Sequence, residues 1–165
     1  MTAPRPTKKD LAEFYRLALA SGLCTPADVV AWADIIVAAE DTPDPVFLDL
    51  SCSGSLRAEA VQSALHDVPG SITEDLPIYL LLGHGGRLLA AGRVTAADLI
   101  LRLHGLAGLE SMPSDVYNEL SFLEDAYSLA RDGTYGTLAE FGQRLVDFLA
   151  RYDDFVPLVD PSTAP

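Results

Sequence analysis

Four threonines in this chain stand three residues ahead of an acid: Thr7 before Asp10, Thr25 before Asp28, Thr95 before Asp98 and Thr137 before Glu140. Such a pair opens an α-helix. The hydroxyl accepts a hydrogen bond from the third helical amide, and the acid reaches back to the threonine N–H. Three of the four follow a glycine placed to stop the preceding helix: Gly22, Gly92, and Gly133 with Gly136. A chain punctuated in this way folds as helices joined by short connections. The fold class read from it is all-α, a compact multi-helix domain of about six to eight helices.

Apolar spacing fills in the helices. Leu11, Phe14, Tyr15 and Ala18 recur at helical steps after Thr7, and Val29, Trp32, Ala33 and Ile36 do so after Thr25, with Pro26 at the first helical position. Residues 46–52 alternate like a short strand, but Pro45 favours a short helix. Ser55 is the expected cap of a helix reaching Asp67, with Leu56, Ala60, Ser63 and Ala64 facing inward. Ser114-Asp115 opens a helix to Arg131 that turns Val116, Leu120, Leu123, Tyr127 and Ala130 inward. The last helix presents Leu138, Phe141, Leu145, Phe148 and Leu149.

Residues 72–92 admit two readings. Glu74-Asp75 suits a helix start, where carboxylates meet the positive end of the dipole. Gly83-His84-Gly85-Gly86 interrupts the stripe of Ile78, Leu81, Leu82, Leu88 and Leu89, so the expectation is a broken or kinked helix. A β-hairpin about the glycines is the competitor. The stretch from Gly92 to Ile100 also repeats the pattern of Gly22 to Val30. This is either a sign of two related helix–turn–helix halves or the generic form of a short helix connection.

The chain has 165 residues, enough for one domain with its own core. The expected organisation is a flexible N-terminus over 1–6, a single helical domain over 7–156, and a flexible tail over 157–165. Hydrophobic residues make up 49%, which excludes wholesale disorder. No apolar run is long enough to span a membrane, and the polar N-terminus has no signal-like segment, so a cytoplasmic location is expected. Twenty-four acids face 11 bases, for a net charge of −13, and residues 101–165 hold 11 of those acids and 4 bases. Nucleic acid and anionic membranes need the opposite sign, so neither is expected as a partner.

Little points to catalysis. Cys24 and Cys52 are too few for a disulfide framework and read as small hydrophobes. His66, His84 and His104 share no metal-ligand spacing. His84-Gly85-Gly86 is similar to an esterase oxyanion loop, but no nucleophile elbow accompanies it. No catalytic residue, metal site or cofactor is assigned.

The charge points to binding. Residues 110–125 contain Glu110, Asp115, Glu119, Glu124 and Asp125 and no base, with Tyr117 and Phe122 interleaved and Tyr127 just beyond. Acids around aromatic anchors suit a basic protein partner, because charge sets the rate of encounter and aromatic burial sets affinity. The candidate contact residues are Glu110, Asp115, Tyr117, Glu119, Glu124 and Asp125. Phe122 and Tyr127 read equally well as core. Two other classes stay open: a ligand-binding protein or enzyme with a pocket near His84 and His104, and a helical homo-oligomer using the face of residues 116–127.

Three stretches carry a resemblance. They are Gly22 with Thr25-Pro26-Ala27-Asp28-Val29-Val30 and Trp32-Ala33; Phe47-Leu48-Asp49-Leu50-Ser51; and Leu123-Glu124-Asp125 with Ala130-Arg131-Asp132-Gly133 and Tyr135-Gly136. Together they resemble a group of small helical bacterial proteins that look like immunity proteins of contact-dependent or secreted polymorphic toxin systems. The resemblance runs over about residues 8–155. It implies neutralisation of a toxin by direct binding in the cytoplasm, and supplies no binding residues.

Overall fold

The computed structural model describes residues 5–159, and the side chains of those up to residue 155. Among the described residues there are eight α-helices and no strand. They are α1 (Lys8–Ala20), α2 (Pro26–Ala39), α3 (Pro45–Ser51), α4 (Ala58–His66), α5 (Leu76–Ala90), α6 (Ala96–Ala107), α7 (Ser114–Arg131) and α8 (Leu138–Leu149). Short 3₁₀ segments cover Ser53–Ser55 and Ala150–Val159. The second carries helical backbone into the stretch read as a tail from 157. The expectations for residues 1–4 and 160–165 lie outside the described residues.

The punctuation read from the sequence sets the helix ends. After α1, Gly22 takes φ 70°, its N–H donates to Leu19 O at 3.1 Å, and the Leu23 N–H reaches back to Ala18 O at 2.7 Å. After α5, Gly92 takes φ 67°, with Gly92 N–H on Leu89 O and Arg93 N–H on Leu88 O. After α7, Gly133 takes φ 69°, with the same pair of bonds onto Ala130 O and Leu129 O. These left-handed glycines close off carbonyls that the helix cannot satisfy itself. The next helix then opens on Thr25, Thr95 or Thr137. A third copy, at α7–α8, makes this a repeated way of joining helices in the chain rather than the mark of two halves alone.

The described residues divide into two units of packing, one comprising those up to Leu81 together with Pro157–Val159, the other Leu82–Val156. In the first, α1 packs on α4 and α2 on α3. Tyr15 and Trp32 sit 5.0 Å apart by ring centroids, and Trp32 meets Phe47 edge-on at 5.5 Å. Each such fully buried ring contributes about 2–3 kcal/mol by area. Pro45 does open a helix, α3, with the Asp44 carboxylate accepting from the Val46 N–H at 3.0 Å.

Asp10 ties α1 to the loop before α5. Its side chain is fully buried. The carboxylate accepts from Thr7 N–H and Oγ1, both at 2.8 Å, and from Thr73 N–H at 2.6 Å and Oγ1 at 3.0 Å. Burial alone would raise its pKa, but these hydrogen bonds outweigh it and hold the carboxyl below its ordinary value. The anchored loop then makes a tight turn: Asp75 stands at φ 59°, and the Leu76 N–H bonds Glu74 O at 2.7 Å. That left-handed conformation is disfavoured for a residue with a side chain.

Three expectations are corrected. Residues 76–90 form one uninterrupted helix, not a broken helix or a hairpin. The glycines allow close packing within the second unit. A Cβ on Gly85 would lie 3.2 Å from Leu99 Cδ1, and one on Gly86 would lie 3.4 Å from Leu149 Cβ. Helix α4 starts at Ala58, because Ser53–Ser55 forms a 3₁₀ turn instead of a cap. The buried face is therefore Val61 and Leu65, while Leu56, Ala60 and Ser63 are exposed and Ala64 is half-buried. In the second unit α7 packs on both α6 and α8, which also touch each other. Leu138, read as part of the inner face of α8, is 53% exposed.

The glycines make a paired prediction. Gly85→Ala gains helix propensity of about 1 kcal/mol but crowds the fully buried Leu99, so the net effect is destabilising by about 1 kcal/mol. Gly105→Ala in α6 meets nothing within 4 Å and stabilises by about 0.5–1 kcal/mol. Urea unfolding of both variants checks the opposite signs. Asp10→Ala removes a cap and strands the Thr73 N–H, for a loss of about 3 kcal/mol at neutral pH. Because the folded-state pKa lies below the ordinary value of 3.8, this contribution is present above that value and is lost as pH falls from there through the lower folded-state pKa. Acid unfolding of Asp10→Ala should accordingly be shallower than that of the parent chain, and an unchanged acid profile would exclude the clamp.

Candidate partner-binding surface

Helix α7 carries five of the six candidate contact residues. Val116, Leu120 and Leu123 are buried against its neighbours, so the opposite face meets solvent. Positions 115, 122 and 129 recur every seven residues along that face, with 118 and 125 between them. Asp115 and Asp125 are exposed, and neither has a hydrogen bond or ion pair among the described residues. Between them Phe122 is 64% exposed, with Leu129 at 42% one further step along.

Helix geometry divides the remaining candidates. Glu119 lies toward the C-terminal side of the unit, where Arg151 Nη2 reaches its Oε1 at 3.2 Å. Arg151 also lies over the Phe148 ring at 5.6 Å. Tyr117 and Glu124 fall on the other flank of α7, the side on which Ser121 Oγ meets His104 Nε2 at 3.5 Å. Tyr117 is 43% exposed, and Glu124 accepts from Ser128 Oγ at 2.9 Å. Glu110 precedes the helix and is half-buried. The structure therefore groups Asp115, Asp125 and, beside them, Glu119 on one face, and separates Tyr117, Glu124 and Glu110 from it.

The aromatic ambiguity resolves in two directions. Tyr127 is half-buried and packs at a tilt on the buried Phe141 of α8, ring centroids 5.2 Å apart. Phe122 points to water. Spacing alone contained this signal: Tyr127 is seven residues from Leu120 on the buried stripe, whereas Phe122 is three from Asp125 and seven from Asp115. Leu129 was not read as a surface residue at all.

Chemistry elsewhere is sparse. Burial, with Asp28 nearby, pushes the Cys24 thiol up to about 12, so it stays protonated and is a poor nucleophile. His84 is half-buried within α5. Among the described residues no three His, Cys, Asp or Glu side chains gather as a metal site. No described helix is long and apolar enough to cross a membrane. Two surface clefts are evident. One, of about 500 Å³, lies between α1 and α4 and is lined by both signs of charge, including Lys9, Glu13, Arg16 and Glu59. The other, of about 280 Å³, lies at the α7–α8 connection beside Ala126, Tyr135, Glu140, Phe141 and Arg144. No family model matches the chain, and comparison with curated proteins and with solved structures finds no significant similarity.

The exposure of Phe122 has a measurable corollary. Phe122→Ser should change unfolding free energy by less than about 0.5 kcal/mol, whereas Phe141→Ala, 3% exposed in the parent, should cost about 3 kcal/mol. Denaturant melts of the two variants separate surface from core.

Proposed function

We propose that this chain is a non-enzymatic protein-binding protein that engages a basic partner through the solvent face of α7. The observation that carries the reading is Phe122, 64% exposed and standing on one helix face with the unpaired carboxylates Asp115 and Asp125. An exposed aromatic of this size supplies contact area at little entropic cost, and carboxylates around it favour lysine and arginine on the other side. The net charge of −13 adds long-range attraction for a basic protein. The resemblance to immunity proteins gives this partner a character: a toxin domain with a basic active surface, such as a nuclease. The acidic face would cover the lysines and arginines that otherwise hold phosphate.

The test is co-expression of the tagged chain with the products of its neighbouring genes, followed by purification at low and high salt. A single stoichiometric basic partner, released at high salt, is the expected result. With that partner in hand, Asp115→Lys with Asp125→Lys should slow association by about tenfold or more, and Phe122→Ala should act on dissociation. Association rates indifferent both to salt and to these reversals would sink the electrostatic reading. A chain that instead sediments as a dimer, and becomes a monomer on Phe122→Ser, would assign the face to self-association.

A further inference from the structure

The cleft at the α7–α8 connection is built differently from the acidic face, and its features converge on one ligand chemistry. Tyr135 is presented by a short loop between two left-handed glycines, Gly133 at φ 69° and Gly136 at φ 73°. The residue is 73% exposed, while its N–H is fixed on Leu129 O at 3.3 Å. Phe141, 3% exposed, closes the floor of the cleft, and Tyr127 packs on it at 5.2 Å between ring centroids. The cation is Arg144.

Arg144, like the exposed Arg57 and Arg93, holds no carboxylate among the described residues, but it alone of the three lines this cleft. Glu140 lies one turn before it, and a glutamate four residues ahead of an arginine is the favourable order for a helical ion pair. The pair does not form. Glu140 Oε2 turns back to the helix start, accepting from Thr137 N–H at 2.8 Å and Thr137 Oγ1 at 3.1 Å. Arg16, Arg102, Arg131 and Arg151 each hold a carboxylate. Arg144 has no hydrogen bond or ion pair among the described residues, and it lines the cleft.

We infer that this cleft binds a small organic carboxylate with an apolar body. The carboxylate pairs with the Arg144 guanidinium, whose fork matches it in two parallel hydrogen bonds. The apolar body packs on the exposed Tyr135 ring, above the edge of Phe141. The volume of about 280 Å³ lies just below the usual range of small-ligand pockets, about 300–1,000 Å³, which suits nothing larger than a single ring or a single residue. A free aromatic acid and the C-terminal residue of a peptide both carry this chemistry.

The experiment is a titration of the full-length chain followed by amide NMR. The probes are phenylacetate, phenylacetamide, and a short peptide ending in phenylalanine with a free or an amidated C-terminus. Saturable shifts confined to residues 133–144 are expected with a free carboxylate and not with either amide. Arg144→Gln, an exposed substitution that leaves the rest of the spectrum in place, should weaken binding about tenfold or more, and Tyr135→Ala should weaken it as well. Tighter binding of the peptide acid than of phenylacetate assigns the site to a chain terminus; the reverse order assigns it to a free metabolite-sized acid. The inference is overturned if neither acid saturates the site, or if Arg144→Gln binds as the parent does.

Discussion

Every helix leaves backbone amides unsatisfied at its start and carbonyls at its end, and a chain of short helices meets that cost at each connection. Here the same answer recurs at three of them. A left-handed glycine returns two amides to the finished helix, and a threonine a few residues later opens the next. Packing can then act on helices whose ends are already closed. The first threonine, Thr7, goes further, because its partner Asp10 also accepts from Thr73, sixty-three residues away. A local cap thereby becomes a tertiary contact, and the same carboxylate that starts α1 holds the loop from which α5 departs.

That distinction between local and distant causes explains what was legible in the sequence. The caps at Thr7, Thr25, Thr95 and Thr137 depend on residues three positions apart, and each appears where the sequence placed it. The continuity of α5 was not legible, because its reason lies elsewhere in the chain. Gly85 and Gly86 look like breakers until Leu99 and Leu149 are brought against them. The α4 face failed for a smaller reason. Ser53–Ser55 can cap a helix or form a 3₁₀ turn, and a shift of three residues moves the buried stripe to Val61 and Leu65. The Asp10–Thr73 bond was equally hidden, since nothing near Thr73 advertises an acceptor in α1.

The candidate site shows the same split. Counting acids over residues 110–125 finds the charge but not its geometry. Once α7 is wound, about 100° per residue, Tyr117 and Glu124 leave the face that holds Asp115, Phe122 and Asp125. Glu119 stays beside that face but is already engaged by Arg151. An exposed ion pair of this kind is worth at most about 1 kcal/mol, so it blunts the local charge without locking it away. Asp115 and Asp125 therefore carry the undiluted field around Phe122.

Charge and apolar surface then have separable consequences. An acidic surface attracts a basic partner over a distance set by salt, about 8–10 Å under physiological conditions, so its contribution is chiefly to the rate of encounter. In the proposed complex Phe122 would contribute only after water had been excluded from its ring, so its effect would fall on the lifetime of that complex. A face with acids alone would capture many cations loosely and release them. A face with an aromatic alone would be slow to find its partner. On the proposed reading, the two together on one stripe of α7 would select a surface that presents lysine or arginine around an apolar patch, a narrower requirement than net charge imposes. This is why Phe122, which the sequence left undecided between core and surface, is the residue on which the binding reading turns.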